Sequence, residues 1–186
     1  MYVHGLSSSG SSHTVETLRQ YLPTDTIISP DLPLPPQEAL DLLLNVVHSE
    51  QVDLVIGTSM GGMFAQKLRG VKKILVNPAF HVSDFMRERL GVQPFFNPRQ
   101  DGATHFEITP ALCDDYAKLE KSQFEHVDEE EKELTLGLFG REDELINCRD
   151  EFHQYYPHIY YFHGGHRLNE EIIKMHVLPL VDSFRP

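Results

Sequence analysis

Residues 53–68 read Asp53-Leu54-Val55-Ile56-Gly57-Thr58-Ser59-Met60-Gly61-Gly62-Met63-Phe64-Ala65-Gln66-Lys67-Leu68, a strand pattern, a glycine-flanked turn and a helix pattern in immediate succession. Leu54-Val55-Ile56 is a short apolar run of the kind found in strands covered on both faces. Met63 to Leu68 has a helical pattern. Between them stands Gly57-Thr58-Ser59-Met60-Gly61, a G-x-S-x-G pentapeptide. In such a turn the serine is held on a sharp strand-to-helix corner, and the glycines let the helix lie close to the sheet. With 12 Gly in the chain, chance supplies only about 0.05 such pentapeptides, so more than a Gly/Ser turn is expected. The free N–H groups of the following helix start would lie beneath charge forming at a substrate.

The same alternation of strand and helix extends in both directions. Strands are expected at Tyr2–His4, Thr26–Ser29, Lys73–Val76, Leu134–Phe139 and Ile159–Phe162, besides Asp53–Ile56. Helices are expected over Ser12–Leu22, around Leu40–Val47 after Pro35-Pro36, over Glu144–Tyr156 and over Glu170–Phe184. Asn169 would cap the last helix and Pro179 would kink it. Such β-α alternation predicts a parallel sheet with helices on both faces. Phe80 to Glu133 has no clear strand and is rich in Pro, Gly and aromatic residues. A structureless loop of that length is improbable, so a mostly helical insertion is expected, with Asp128-Glu129-Glu130-Glu131 as a solvated face.

Composition bounds the rest. At 186 residues the chain has room for one domain, since domains run to roughly 100–200 residues. Its 16 basic against 28 acidic residues leave a formal charge of −12. That argues against nucleic-acid partners, which need clustered Lys and Arg. No apolar run approaches the roughly 20 residues that span a bilayer, and no secretory signal is expected at the start. Cys113 and Cys148 have no metal-binding spacing and read as reduced thiols. A cytoplasmic protein is the expectation; the oligomeric state stays open.

If Ser59 is a nucleophile, an oxyanion site, a base and an orienting acid must accompany it. The backbone N–H of Met60 would be one oxyanion donor and that of Leu6, in the loop after the first strand, the other. That loop, His4-Gly5-Leu6-Ser7-Ser8-Ser9-Gly10, lacks the glycine and lysine pattern of a phosphate-binding turn. His4 reads as its scaffold. Acid and base should follow in the order Ser, Asp/Glu, His. His166, in His163-Gly164-Gly165-His166 straight after the last strand, is the expected base, with His163 the alternative. A metal on this pair lacks a third ligand at a recognisable spacing, and no cofactor is expected. Gly140-Arg141-Glu142-Asp143-Glu144 offers three carboxylates, of which Asp143 is favoured by its G-x-x-D turn over Glu142 and Glu144. His166 would then take the Ser59 proton while Asp143 supports the imidazolium.

These motifs together resemble the small YqiA/YcfP-like esterases of the α/β-hydrolase superfamily. The resemblance rests on the His4–Ser9 loop, Pro30-Asp31-Leu32-Pro33, Gly57–Gly62, Val76-Asn77-Pro78-Ala79, Gly140–Glu144 and Gly164-Gly165-His166. One departure stands out: His166 follows the glycines directly, where the family pattern has an asparagine between. The resemblance implies a reduced α/β-hydrolase fold: a three-layer α/β/α domain over 1–186, about six mostly parallel strands, and a helical cap at about 81–130. It also implies a serine esterase with Ser59, Asp143 and His166 as its triad, acting on small acyl esters or thioesters. Phe80, Phe85, Met86, Phe95 and Phe96 could line the acyl side. Peptide or amide cleavage by the same triad, or a binding protein on a hydrolase scaffold, are the alternatives.

Overall fold

The structure, a computed structural model, describes residues 1–185. Five parallel strands form the main sheet: β1 (Tyr2–Val3), β2 (Leu54–Thr58), β3 (Lys72–Val76), β6 (Thr135–Gly140) and β7 (Ile159–Phe162), in the order β1-β2-β3-β6-β7. Successive side chains alternate between two cores, as a pleated strand requires. Val3, Val55, Leu75 and Phe139 point to one core, where they meet Leu43 of α2 (Pro36–Ser49), Phe64 of α3 (Met60–Lys67) and Phe152 of α7 (Arg149–Tyr155). Tyr2, Ile56, Ile74, Val76 and Leu138 point to the other, against Leu18 of α1 (His13–Tyr21) and the C-terminal helices. Each fully buried Leu or Phe in these layers contributes about 1.5–3 kcal/mol.

Register is what positions the site. Val3 lies opposite Gly57, Thr58 opposite Val76, Val76 opposite Leu138, and Gly140 opposite Phe162. The carboxyl ends of all five strands therefore stop level with one another, and the residues that follow them share one edge.

Three expectations for the elements around the sheet change in detail. Thr26–Ser29 does not join the sheet as a sixth strand. Ile28 accepts one bond from the Tyr2 N–H at 2.8 Å, and Pro30 has no N–H with which to extend the ladder. The helix expected from Glu144 starts only at Arg149, because the Asp143 carboxylate engages the Leu145 and Ile146 N–H groups and holds the chain in a turn. The last helix is broken: α8 (Glu170–Ile172), a π-helical turn (Ile173–Val177) and α9 (Leu178–Ser183) follow one another. Pro179 cannot donate to the preceding turn, and the wider turn, with Leu178 N–H bonded to Ile173 O, absorbs the mismatch.

The insertion between β3 and β6 is helical in α4 (Val82–Arg87), α5 (Pro110–Glu120) and α6 (Glu129–Glu133), but it also carries an antiparallel ribbon. Its strands are β4 (Gly91–Pro94) and β5 (His105–Ile108), with Phe106 and Ile108 packed inward. The alternation His105-Phe106-Glu107-Ile108 was the one local signal for it.

The acidic run is not uniformly solvated either. Asp128 caps α6 through the Glu131 N–H, and Glu131 is buried and bonded to the equally buried Lys73 ammonium. Burial depresses the Lys73 pKa below its ordinary value, opposed by the bond to Glu131. Removing one charge of a buried pair strands the other. Glu131→Gln should therefore lower stability by about 3–5 kcal/mol, read as a lower urea midpoint with an unchanged slope. An unshifted midpoint would show that Lys73 finds another partner.

Candidate active site

Ser59 closes β2 and precedes α3 with φ 55° and ψ −122°. For a residue with a Cβ this conformation costs on the order of 1–3 kcal/mol and must be held by its surroundings. Four backbone bonds hold it. The Ser59 N–H donates to Val76 O at 3.1 Å, and its carbonyl accepts from Gly62, Met63 and Ala79. The flanking glycines are needed for space. A Cβ on Gly61 would stand 2.1 Å from Val3 O, and one on Gly57 would stand 2.5 Å from Gly61 O.

The parallel register brings two distant loops to this corner. His166 Nε2 lies 2.9 Å from Ser59 Oγ, and His166 Nδ1 lies 2.7 Å from Asp143 Oδ2. An ionised carboxylate can only accept, so Nδ1 carries the proton and Nε2 is left to accept the Ser59 hydroxyl. The Asp143 side chain is 4% exposed. Burial raises its pKa, but bonds from His166, Ile146 and Leu145 outweigh this and hold the carboxyl below its ordinary range. It stays an anion at neutral pH.

The other two carboxylates go elsewhere. Glu142 accepts from the Gly164 N–H and faces His163 Nδ1 at 3.3 Å, which lowers its pKa. It staples the acid loop to the histidine loop. Among the described residues Glu144 has no hydrogen-bond partner. His163 is exposed and points to Glu142, not to Ser59. His4 is buried, with Nδ1 bonded to Gly5 O at 2.8 Å and Nε2 accepting from Leu32 N–H at 3.1 Å. Burial depresses its pKa, and the neutral ring ties the Gly5–Leu6 loop to the segment after residue 29.

A cleft of about 720 Å³ opens over Ser59 and is lined by Leu6, Met60, His166, Phe85 and Phe96 among others. Among the described residues, neither the Leu6 nor the Met60 backbone N–H has an acceptor. Phe80, Met86 and Phe95 do not line this cleft. Phe80 is buried edge-on to Phe124, Met86 is fully buried, and Phe95 packs on Phe106 beneath the Arg99 guanidinium. Away from the cleft, His81, Cys148 and Glu151 bring potential ligand atoms within 4.8 Å of one another. Among the described residues no helix is long and apolar enough to cross a membrane.

One residue of the site has no role assignable from sequence. Asn77, at φ 43° and 2% exposed, ends β3 between the two loops. Its Oδ1 accepts from Gly140 N–H at 2.7 Å, and its Nδ2 donates to Gly165 O and His166 O at 3.2 and 3.1 Å. One side chain thus fixes the strand end before Asp143 and the backbone of His166. Displacing a reacting group by about 1 Å can cost about 10²-fold in rate. Asn77→Ala should lower kcat by roughly that factor while the far-UV circular dichroism stays native; undiminished turnover would remove Asn77 from the site.

The fold has many counterparts. The monoacylglycerol lipase of Paleococcus ferrophilus superposes with a TM-score of 0.67 at 14% identity, over 98% of this chain and 92% of that one. A putative hydrolase from Agrobacterium vitis S4 gives 0.67 at 15% identity, over 98% and 86%. Est1E from Butyrivibrio proteoclasticus gives 0.61 at 13%, again over 98% and 86%. These likenesses establish an α/β-hydrolase fold. No curated protein matches the chain. A family model described as the uncharacterised protein family UPF0227 matches residues 1–173, and the chain belongs to that family, the YqiA/YcfP-like one its motifs resemble.

Proposed function

We propose that the protein is a serine hydrolase that cleaves acyl esters, including thioesters, through an acyl-enzyme. The observation that carries this reading is the unbroken chain Ser59 Oγ, His166, Asp143 at the base of an open cleft. His166 Nε2 takes the hydroxyl proton as Ser59 Oγ attacks the carbonyl carbon. The oxygen turns negative within reach of the Leu6 and Met60 N–H groups, and Asp143 stabilises the imidazolium. His166 then protonates the leaving alcohol or thiol, and water attacks the acyl-serine by the same path. A cleft of about 720 Å³ suits a small molecule, and the presence of a monoacylglycerol lipase and a marine microorganism esterase among the structural neighbours agrees with this chemistry.

A fluorophosphonate probe should label the protein once, on the peptide that contains Ser59, and block turnover of p-nitrophenyl butyrate. Labelling that persists in Ser59→Ala would overturn the assignment, as would a protein that neither takes the label nor hydrolyses any ester. A series of oxygen esters and thioesters of increasing acyl length then reads the depth of the cleft.

A further inference from the structure

The lining of the Ser59 cleft departs from the rest of the chain in charge. With 28 Asp and Glu in 186 residues, several carboxylates would be expected among the 24 residues that line it, yet among the described residues it has none. It does contain two arginines, Arg89 and Arg167. Each guanidinium lies over an aromatic ring that also lines the cleft: Arg89 at 3.6 Å over Phe85 and Arg167 at 5.6 Å over Phe96. A cation within about 6 Å of a ring centroid is attracted to the ring without consuming its N–H donors.

The two differ in how far they are already engaged. Arg89 donates one nitrogen to Phe85 O at 3.0 Å and meets the exposed Glu88 at 3.2 Å. Arg167 makes no hydrogen bond or ion pair among the described residues. It follows His166 directly in the chain, so its fork is carried on the loop that delivers the base to Ser59. Charged side chains usually find partners in an acidic protein. One held on a ring, in a cleft stripped of carboxylates, is arranged for an anion from outside.

We propose that the cleft selects esters that carry a second, anionic group, a carboxylate or phosphate, received by Arg167 with Arg89 in support. This rests on the reading of Ser59 as nucleophile. A planar fork matches either anion with two parallel N–H···O bonds, and so discriminates against a neutral isostere by charge and by geometry.

Two matched pairs test it and locate the anion. On the acyl side, the mono-p-nitrophenyl ester of glutarate is compared with p-nitrophenyl butyrate. On the leaving side, 4-carboxyphenyl butyrate is compared with phenyl butyrate, each rate normalised to spontaneous hydrolysis. In one pair the anionic ester should be preferred by about tenfold or more in kcat/KM. That ratio should fall towards one in Arg167→Ala, fall in part in Arg89→Ala, and be kept only in part by Arg167→Lys, which retains the charge without the fork. Ratios of one or below in both pairs, or ratios unmoved by both alanine variants, would overturn the proposal. Should no ester be turned over, the nucleophile reading fails on its own. Calorimetry of glutarate monoethyl ester with Ser59→Ala then decides anion recognition: binding lost on adding Arg167→Ala upholds it, and no binding sinks it.

Discussion

Ser59→Ala should reduce kcat on p-nitrophenyl butyrate by about 10⁶-fold, to the level that binding and oxyanion contacts alone sustain. The size follows from the loss of the covalent path itself, since among the described residues no other hydroxyl is hydrogen-bonded to His166 Nε2. The fold should survive. Alanine keeps the Cβ and the four backbone bonds that hold residue 59 in its strained conformation, and loss of a half-buried hydroxyl at the cleft costs little. Unchanged thermal unfolding beside a lost burst of p-nitrophenol is the expected pair of results. A variant that keeps more than about a hundredth of the activity would move the nucleophile elsewhere.

Asp143→Asn should lower kcat by about 10⁴-fold, because the amide favours the wrong imidazole tautomer and cannot stabilise the imidazolium. Asn keeps an oxygen for the Leu145 and Ile146 N–H groups, so the turn before α7 should persist and the loss should fall on chemistry. Glu142→Gln retains an acceptor for the Gly164 N–H and should cost less than about tenfold; Glu144→Gln should cost nothing measurable. A crippled Glu142→Gln beside an active Asp143→Asn would reverse the roles of these neighbours.

The strand-to-helix turn at Ser59 was legible in the sequence because everything that makes it is contiguous: an apolar strand, two glycines where a Cβ would collide with backbone oxygens, and a helix. The parallel sheet was legible for the same reason, through short apolar runs spaced by helical periods. Segments whose state depends on distant partners were not. Thr26–Ser29 has the composition of a strand yet gains one bond from β1, and Pro30 closes it. The β4–β5 ribbon is short and interrupted by turn residues, so its alternation was masked by them. Glu131 looks like its neighbours Glu129 and Glu130, and only the Lys73 side chain, 58 residues away, makes it a buried residue.

The site divides along the same line. Residue types, chain order and turn chemistry named Ser59, Asp143 and His166 as candidates from sequence alone. Tertiary structure decided where the three adjacent carboxylates point, because successive residues of a tight turn face in different directions: Asp143 to His166, Glu142 to Gly164, Glu144 to solvent. It also decided that Phe85 and Phe96 face the cleft while Phe80, Met86 and Phe95 do not, since which face of a packed insertion meets the sheet is set by long-range burial. Asn77 and the two cleft arginines belong to this second group. Their significance lies in what the fold places beside them, and no local pattern records that.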